Sequence, residues 1–105
     1  LTNVGSAGEE VAVSPELYQN FPNPFNPLTR IKFSVPKASF VSLKIYDIKG
    51  RNVSNLLNEN MNAGVYYSPF NGEGLSSGVY FYSLETKEIS TGKIFRDSKR
   101  MIILK

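Results

Sequence analysis

From Arg30 the chain alternates. Ile31, Phe33 and Val35 take every second position, and Arg30, Lys32 and Ser34 fall between them. A period of two puts one set on each side of a pleated strand, so this segment reads as a half-buried strand with a wet face. Pro36, which has no N–H to give a ladder, ends it. Val41, Leu43 and Ile45 alternate with Ser42 and Lys44 in the same way, which predicts a second strand from about Phe40 to Asp47.

"YDIKGR" then predicts a tight reversal, with Asp47 opening a type I turn and Gly50 in a left-handed position. Arg51 to Leu57 is expected to return as a third strand carrying Val53 and either Leu56 or Leu57. "NLLNENMNAG" holds one helical turn at most. "GVYYSPF" starts a fourth strand at Gly64, and Pro69 argues for an edge position there. "NGEGLSSG" is a glycine-rich loop. "VYFYSLET" is the most apolar strand, with large residues on both faces, which predicts a central place with both faces covered. "RMIILK" is the last strand. Short strands separated by turn signals every eight to twelve residues indicate an all-β fold, an antiparallel β-sandwich of about seven strands.

In front of the first long strand stands "FPNPFNP". Pro22, Pro24 and Pro27 bias Phe21, Asn23 and Asn26 away from helix and favour an extended, polyproline-like path. A stiff segment loses less entropy on docking, so Phe21 and Phe25 are expected to plug the end of the sandwich. The asparagine amides are expected to bond turn backbone left without partners. The PxxP match from Pro24 to Pro27 reads as this plug and not as an SH3 ligand.

Composition narrows the function classes. The chain has 105 residues, one domain's worth, with 41% apolar and 20% charged positions, which is not a disordered composition. Residues 1–15 are small, polar and acidic and read as a flexible linker from an upstream domain, leaving 16–105 as the folded unit. A start at Leu1 suggests a piece of a longer polypeptide, with any export signal upstream. There is no cysteine and no histidine, so no disulfide, no Cys/His metal site and no His-activated nucleophile can be built. No run reaches the about eighteen apolar residues of a membrane helix.

Net charge is +3, and the tail from Lys87 carries six basic residues against Glu88 and Asp97. That tail reads as a solvated edge strand guarded by lysines in preference to a charge-reading surface. The carboxylates form no converging cluster, and "NGEGLSS" offers a calcium ion only one of them, so no catalytic, metal or cofactor site is expected. Tyr46, Tyr67 and Phe81 are the rings that a carbohydrate would stack on, if they face water. Nucleic acid is not expected, because the charges concentrate away from those rings.

The order of these motifs resembles one family. "LYQNFPNPFNPLTRIKFSVP", "VSLKIYDIKGRNVSNLL", "NAGVYY", "SSGVYFYSL" and "KRMIILK" together are similar to the C-terminal sorting domain of proteins exported by the type IX secretion system of Bacteroidetes. The related immunoglobulin-like domain of flagellar hook-capping proteins is also similar. The resemblance covers Leu17 to Lys105. Matching positions are Pro22, Asn23, Pro24, Phe25, Asn26, Pro27, Thr29, Tyr46, Asp47, Gly50, Arg51, Gly64, Gly78, Val79, Tyr80 and Lys105. The family's Trp-Asp-Gly is replaced by Phe70, Asn71 and Gly72, with Phe70 still able to fill a core slot. The stretch from Leu84 to Lys99 is longer and more charged than usual.

The resemblance implies an immunoglobulin-like sandwich that is not an enzyme. It would direct an upstream cargo domain from the periplasm to the outside or surface of a Gram-negative bacterium. Its partners would be the type IX machinery and a sortase-like peptidase that removes the domain and couples the cargo to lipopolysaccharide. Lys99, Arg100, Met101, Ile102, Ile103, Leu104 and Lys105 are the expected recognition segment, read by strand addition, with processing in the segment before Pro15. The alternative is a structural or carbohydrate-contacting accessory domain of a secreted hydrolase.

Overall fold

A computed structural model describes Gly5–Ser6 and residues 11–105. Eight strands follow in chain order: β1 (Gly5–Ser6), β2 (Glu16–Leu17), β3 (Leu28–Val35), β4 (Ser39–Tyr46), β5 (Asn52–Met61), β6 (Gly64–Asn71), β7 (Gly78–Glu88) and β8 (Ile94–Ile103). Two antiparallel sheets hold them, in the orders β1-β6-β3-β2 and β5-β4-β7-β8. No helix occurs among the described residues. The β-sandwich is therefore the one that the alternating pattern predicts, with β1 and β2 as two-residue additions.

The inward positions of both sheets meet in one core. Ile31, Phe33 and Val35 of β3 face Val41, Leu43 and Ile45 of β4 and Tyr82 and Leu84 of β7, all eight fully enclosed. Ser34, expected on the wet face of β3, is also buried and donates its hydroxyl hydrogen bond to the Ser14 carbonyl at 3.0 Å. Burying that hydroxyl without a partner would have been costly, and the chain entering β2 supplies one.

The third strand is longer than its pattern suggests. β5 runs on to Met61, through the segment that had room for one helical turn at most. Its register against β4 slips twice: Leu56 and Val53 have no partner of their own, between the pairs Leu43↔Leu57, Lys44↔Asn55, Ile45↔Ser54 and Tyr46↔Asn52. Each slip is one extra residue in the outer strand, a bulge that turns the following side chains over. Leu57 consequently enters the core, whereas Val53 is left 37% exposed.

β7 sits between β4 and β8, the central place that its apolar sequence predicts. Only one of its faces is covered, however. Tyr80, Tyr82, Leu84 and Thr86 are buried, and Phe81 on the other face is 37% exposed. Pro69 lies opposite Arg30, whose N–H and C=O both bond to Phe21 on the far side of β3. The nitrogen of Pro69 therefore points to the outer side of β6, where β1 reaches only Tyr66 and Tyr67. The edge reading of Pro69 holds locally.

At the "YDIKGR" reversal Gly50 takes a φ of +83°, the left-handed value that the turn needs and that a side chain disfavours. The Asp47 carboxylate accepts from the backbone N–H groups of Lys49 and Arg51 and from Arg51 Nε at 2.8 Å. The Arg51 N–H first, and then the guanidinium and the Lys49 N–H, hold the Asp47 carboxyl below its usual range.

Candidate functional site: the closed edge of the C-terminal strand

β8 is the outer strand of its sheet, so one row of its backbone groups faces away from β7. Along the terminal half that row is filled by the proline segment. Phe25 N–H donates to the Ile102 carbonyl at 3.0 Å, and the Phe25 carbonyl accepts from Leu104 N–H at 3.0 Å. Asn23 Oδ1 accepts from Ile102 N–H at 2.9 Å, and Gln19 Nε2 donates to the Arg100 carbonyl at 2.7 Å. On the β7 side, Lys105 N–H donates to Ser77 Oγ at 2.9 Å. Phe25 thus pairs with Ile103 as a one-residue parallel strand.

Side-chain packing fixes that arrangement. Phe25 is 3% exposed and meets Phe70 edge-on, with ring centroids 6.1 Å apart and planes at 68°. Phe70 fills the core slot that was expected of it. Gly72 N–H donates to the Pro27 carbonyl at 2.7 Å, and a Cβ on Gly72 would lie 2.9 Å from Ile103 Cδ1 and 3.3 Å from the Phe25 ring. Gly72 is therefore part of the closure because it has no side chain, a role the sequence reading did not give it.

The other end of the segment hangs on a buried polar network that was also missed. Asn20 is 2% exposed. Its Nδ2 donates to Thr29 Oγ1 at 2.9 Å and to the Pro22 carbonyl at 3.2 Å, and Thr29 Oγ1 donates to the same carbonyl at 2.8 Å. Asn20 N–H donates to the Tyr82 hydroxyl at 2.8 Å, which donates in turn to the Tyr18 carbonyl at 2.7 Å. Burial first, and then the field of Asp97, push the Tyr82 hydroxyl up to about 12 against the bond from Asn20. No buried side-chain nitrogen or oxygen lacks a partner among the described residues, which is what a rigid polar network requires.

The plug reading needs three corrections. Phe25 docks, but Phe21 is 73% exposed and pairs with Arg30 through backbone alone. The path bends at residues 22–24 and 26–27, so it is not an extended polyproline run. Asn23 bonds the backbone of β8 and not a local turn, and Asn26 stays exposed.

The remaining motif positions are spread over the fold. Gly78, Val79 and Tyr80 pair directly with Ile103, Ile102 and Met101, so two of the signature segments meet as strands. Tyr80 is buried and donates to the Ser76 carbonyl at 2.9 Å. Tyr46, Asp47, Gly50 and Arg51 lie at the β4–β5 turn, and Gly64 opens β6. The expected recognition segment divides by face. Met101 and Ile103 are fully buried, Lys99 and Ile102 are half-buried, and Arg100, Leu104 and Lys105 are exposed. No group of carboxylates placed to hold a metal occurs among the described residues.

Searches of curated proteins and of solved structures each return no match. A family profile, described as the secretion system C-terminal sorting domain, matches residues 19–96, from the plug through β7 and into the first three residues of β8. That span is well over half of the chain, and the chain belongs to this family of type IX secretion sorting domains.

Proposed function

We propose that the domain carries a larger protein across the outer membrane, and that the machinery reads the folded edge of β8 through Lys99, Arg100, Ile102, Leu104 and Lys105. The observation behind this reading is the occupied edge. Strand addition at Arg100–Leu104 requires hydrogen-bonding groups that Gln19, Asn23 and Phe25 already use. Displacing them would also take Phe25 out of the core, a loss of about 3–5 kcal/mol if it resembles truncation to alanine. Side chains, in contrast, remain reachable: Arg100, Leu104 and Lys105 are exposed, and Lys99 and Ile102 are half-buried. Met101 and Ile103 then serve the fold, and their neighbours serve the partner.

On this reading the domain is a non-catalytic address. A sortase-like peptidase cuts before Pro15 and transfers the cargo to the surface. Residues 1–4 and 7–10 of the expected linker lie outside the described residues; Gly5–Ser6 pairs with Tyr66 and Tyr67 as β1.

Deleting Lys99–Lys105 is a poor test, because it removes two core residues with the signal. The triple variant Arg100→Glu, Leu104→Glu, Lys105→Glu changes exposed positions only. Fused to a reporter in a type IX-secreting host, it is expected to leave the reporter in the periplasm. Export at the unmodified level by the folded variant would sink the assignment. For processing, N-terminal sequencing of the released domain should find a start at or before Pro15, and a start within the sandwich counts against the cut.

A further inference from the structure

Two outer faces of the sandwich carry rings, and they differ in what covers them. On the sheet of β3 and β6, Lys32 Nζ lies 4.7 Å from the Tyr18 ring centroid and 5.8 Å from that of Tyr67, and the Arg30 guanidinium lies 5.2 Å from Tyr67. Those ring faces are taken by cations. On the sheet of β4 and β7, Tyr46 and Phe81 stand opposite each other in the ladder, and no cation or second ring lies over either among the described residues.

The ladder registers order this second face into rows. Asn52, Tyr46, Phe81 and Arg100 form one row across four strands, and Asn55, Lys44, Ser83 and Ser98 form the next. Adjacent strands lie about 4.8 Å apart, so the two rings stand side by side on this face, next to a row of amide, hydroxyl and ammonium groups. A shallow open hollow lies between them, walled by Tyr46, Asp47, Ile48, Phe81, Ser83 and Ser98. The carboxylates at its margins are already engaged: Asp47 with Arg51 at 2.8 Å and Glu85 with Arg96 at 3.1 Å. Lys44 and Arg100 have no carboxylate partner among the described residues.

We infer that this face is a binding surface for an acidic polysaccharide. The C–H face of a pyranose carries partial positive charge and sits on the negative face of an aromatic ring. Its hydroxyls meet Asn55, Ser83 and Ser98, and its carboxylate meets Lys44 or the planar fork of Arg100. The rings select a sugar face, and the two unpaired cations select an acidic one. This surface is separate from the sorting reading except at Arg100.

Native gel electrophoresis through polygalacturonate tests it, with neutral pullulan as the control matrix and a single-stranded oligothymidylate as competitor. The 105-residue chain is expected to be retarded by polygalacturonate and not by pullulan. Tyr46→Ala with Phe81→Ala should weaken binding about tenfold. Lys44→Glu should weaken it further, and Tyr67→Ala on the opposite sheet should leave it unchanged. If the double ring variant loses its cooperative melt, Phe81→Ser alone decides, since that side chain is already exposed. Absence of retardation, equal retardation in pullulan, or full retardation of the ring variants overturns the inference. So does oligothymidylate competing as well against the ring variants as against the unmodified chain, which would reduce the effect to net charge. A ring variant that no longer binds but still exports its reporter would separate this surface from the sorting signal.

Discussion

β8 and β5 are the two outer strands of one sheet, and they avoid promiscuous pairing in different ways. The terminal half of β8 is closed by another part of the chain, with Gln19, Asn23 and Phe25 on its backbone groups. Its first half keeps charges on the core side of the strand, Asp97 opposite Leu84 and Lys99 opposite Tyr82. β5 has no covering segment among the described residues. It is bent by two bulges, and it carries Glu59 opposite the buried Val41, again a charge on the core side. A further strand could pair with such edges only by burying a charge or flattening a bulge. The covered edge is smooth and apolar because it is closed, and the open edges are irregular and charged because they are not.

The largest effect is expected at the closure. Phe25→Ala removes a nearly fully enclosed ring and should destabilise the domain by about 3–5 kcal/mol in denaturant unfolding. It should also release the outer groups of Ile102 and Leu104, so their amide exchange should rise more than that of the β5 amides. Equal rises along both strands would mean that Phe25 serves the core alone.

Tyr82→Phe comes next. It strands the Asn20 N–H and the Tyr18 carbonyl, at a cost of about 1–3 kcal/mol. The hydroxyl also gives a pH signature. Its folded pKa, about 12, lies above the ordinary tyrosine value of 10.0, so the folded state holds the proton more tightly. That stability is complete below the unfolded value and is lost as pH rises through the folded one. Thermal melts between pH 9 and 12 (a range of about three units around these values) should show a steeper alkaline decline for the unmodified chain than for Tyr82→Phe. Parallel declines would remove Tyr82 as the cause.

Asn23→Ala is milder. One hydrogen bond to Ile102 N–H is lost at an exposed position, worth about 0.5–1.5 kcal/mol. Exchange at the Ile102 amide should accelerate while Leu104, held by the Phe25 carbonyl, stays protected. Acceleration of both would show that the plug releases as a unit.

How much of this was legible in the sequence follows from the range of each interaction. β3, β4 and β7 announce themselves because period-two alternation is local, and Asp47 with Gly50 announces its turn for the same reason. The two bulges of β5 were not legible, because a bulge breaks the period without changing the composition. Phe21 and Phe25 stand in the same proline frame, and nothing local distinguishes the ring that is 73% exposed from the one that is 3% exposed. What separates them is Ile102, 77 residues further on from Phe25. The bonds from Asn23 and Gln19 to β8 span 79 and 81 residues, beyond any periodicity. Gly72 was visible only as part of a departed motif, since its work is the space it leaves for Ile103 and Phe25. The family motifs were legible as sequence, but their meaning was not. Many of them build the closure and the core.

The smallest effect on stability is expected at β5, and it tests the comparison most directly. Glu59→Val replaces a half-buried charge at an edge by the residue type already opposite it, and should change the unfolding free energy by less than about 0.5 kcal/mol. Deleting Leu56 as well would remove one bulge and leave a longer flat edge. If irregularity and inward charge are what keep β5 unpaired, the double variant should self-associate with concentration in sedimentation velocity, by antiparallel pairing of two β5 strands. The unmodified chain should not. Asn23→Ala, which loosens the other edge, should not associate either, because Phe25 still fills it. A double variant that remains monomeric at every concentration would show that β5 needs no protection. The two edges would then differ only because the proline segment closes the end of the core, and guarding the strand would be incidental to it.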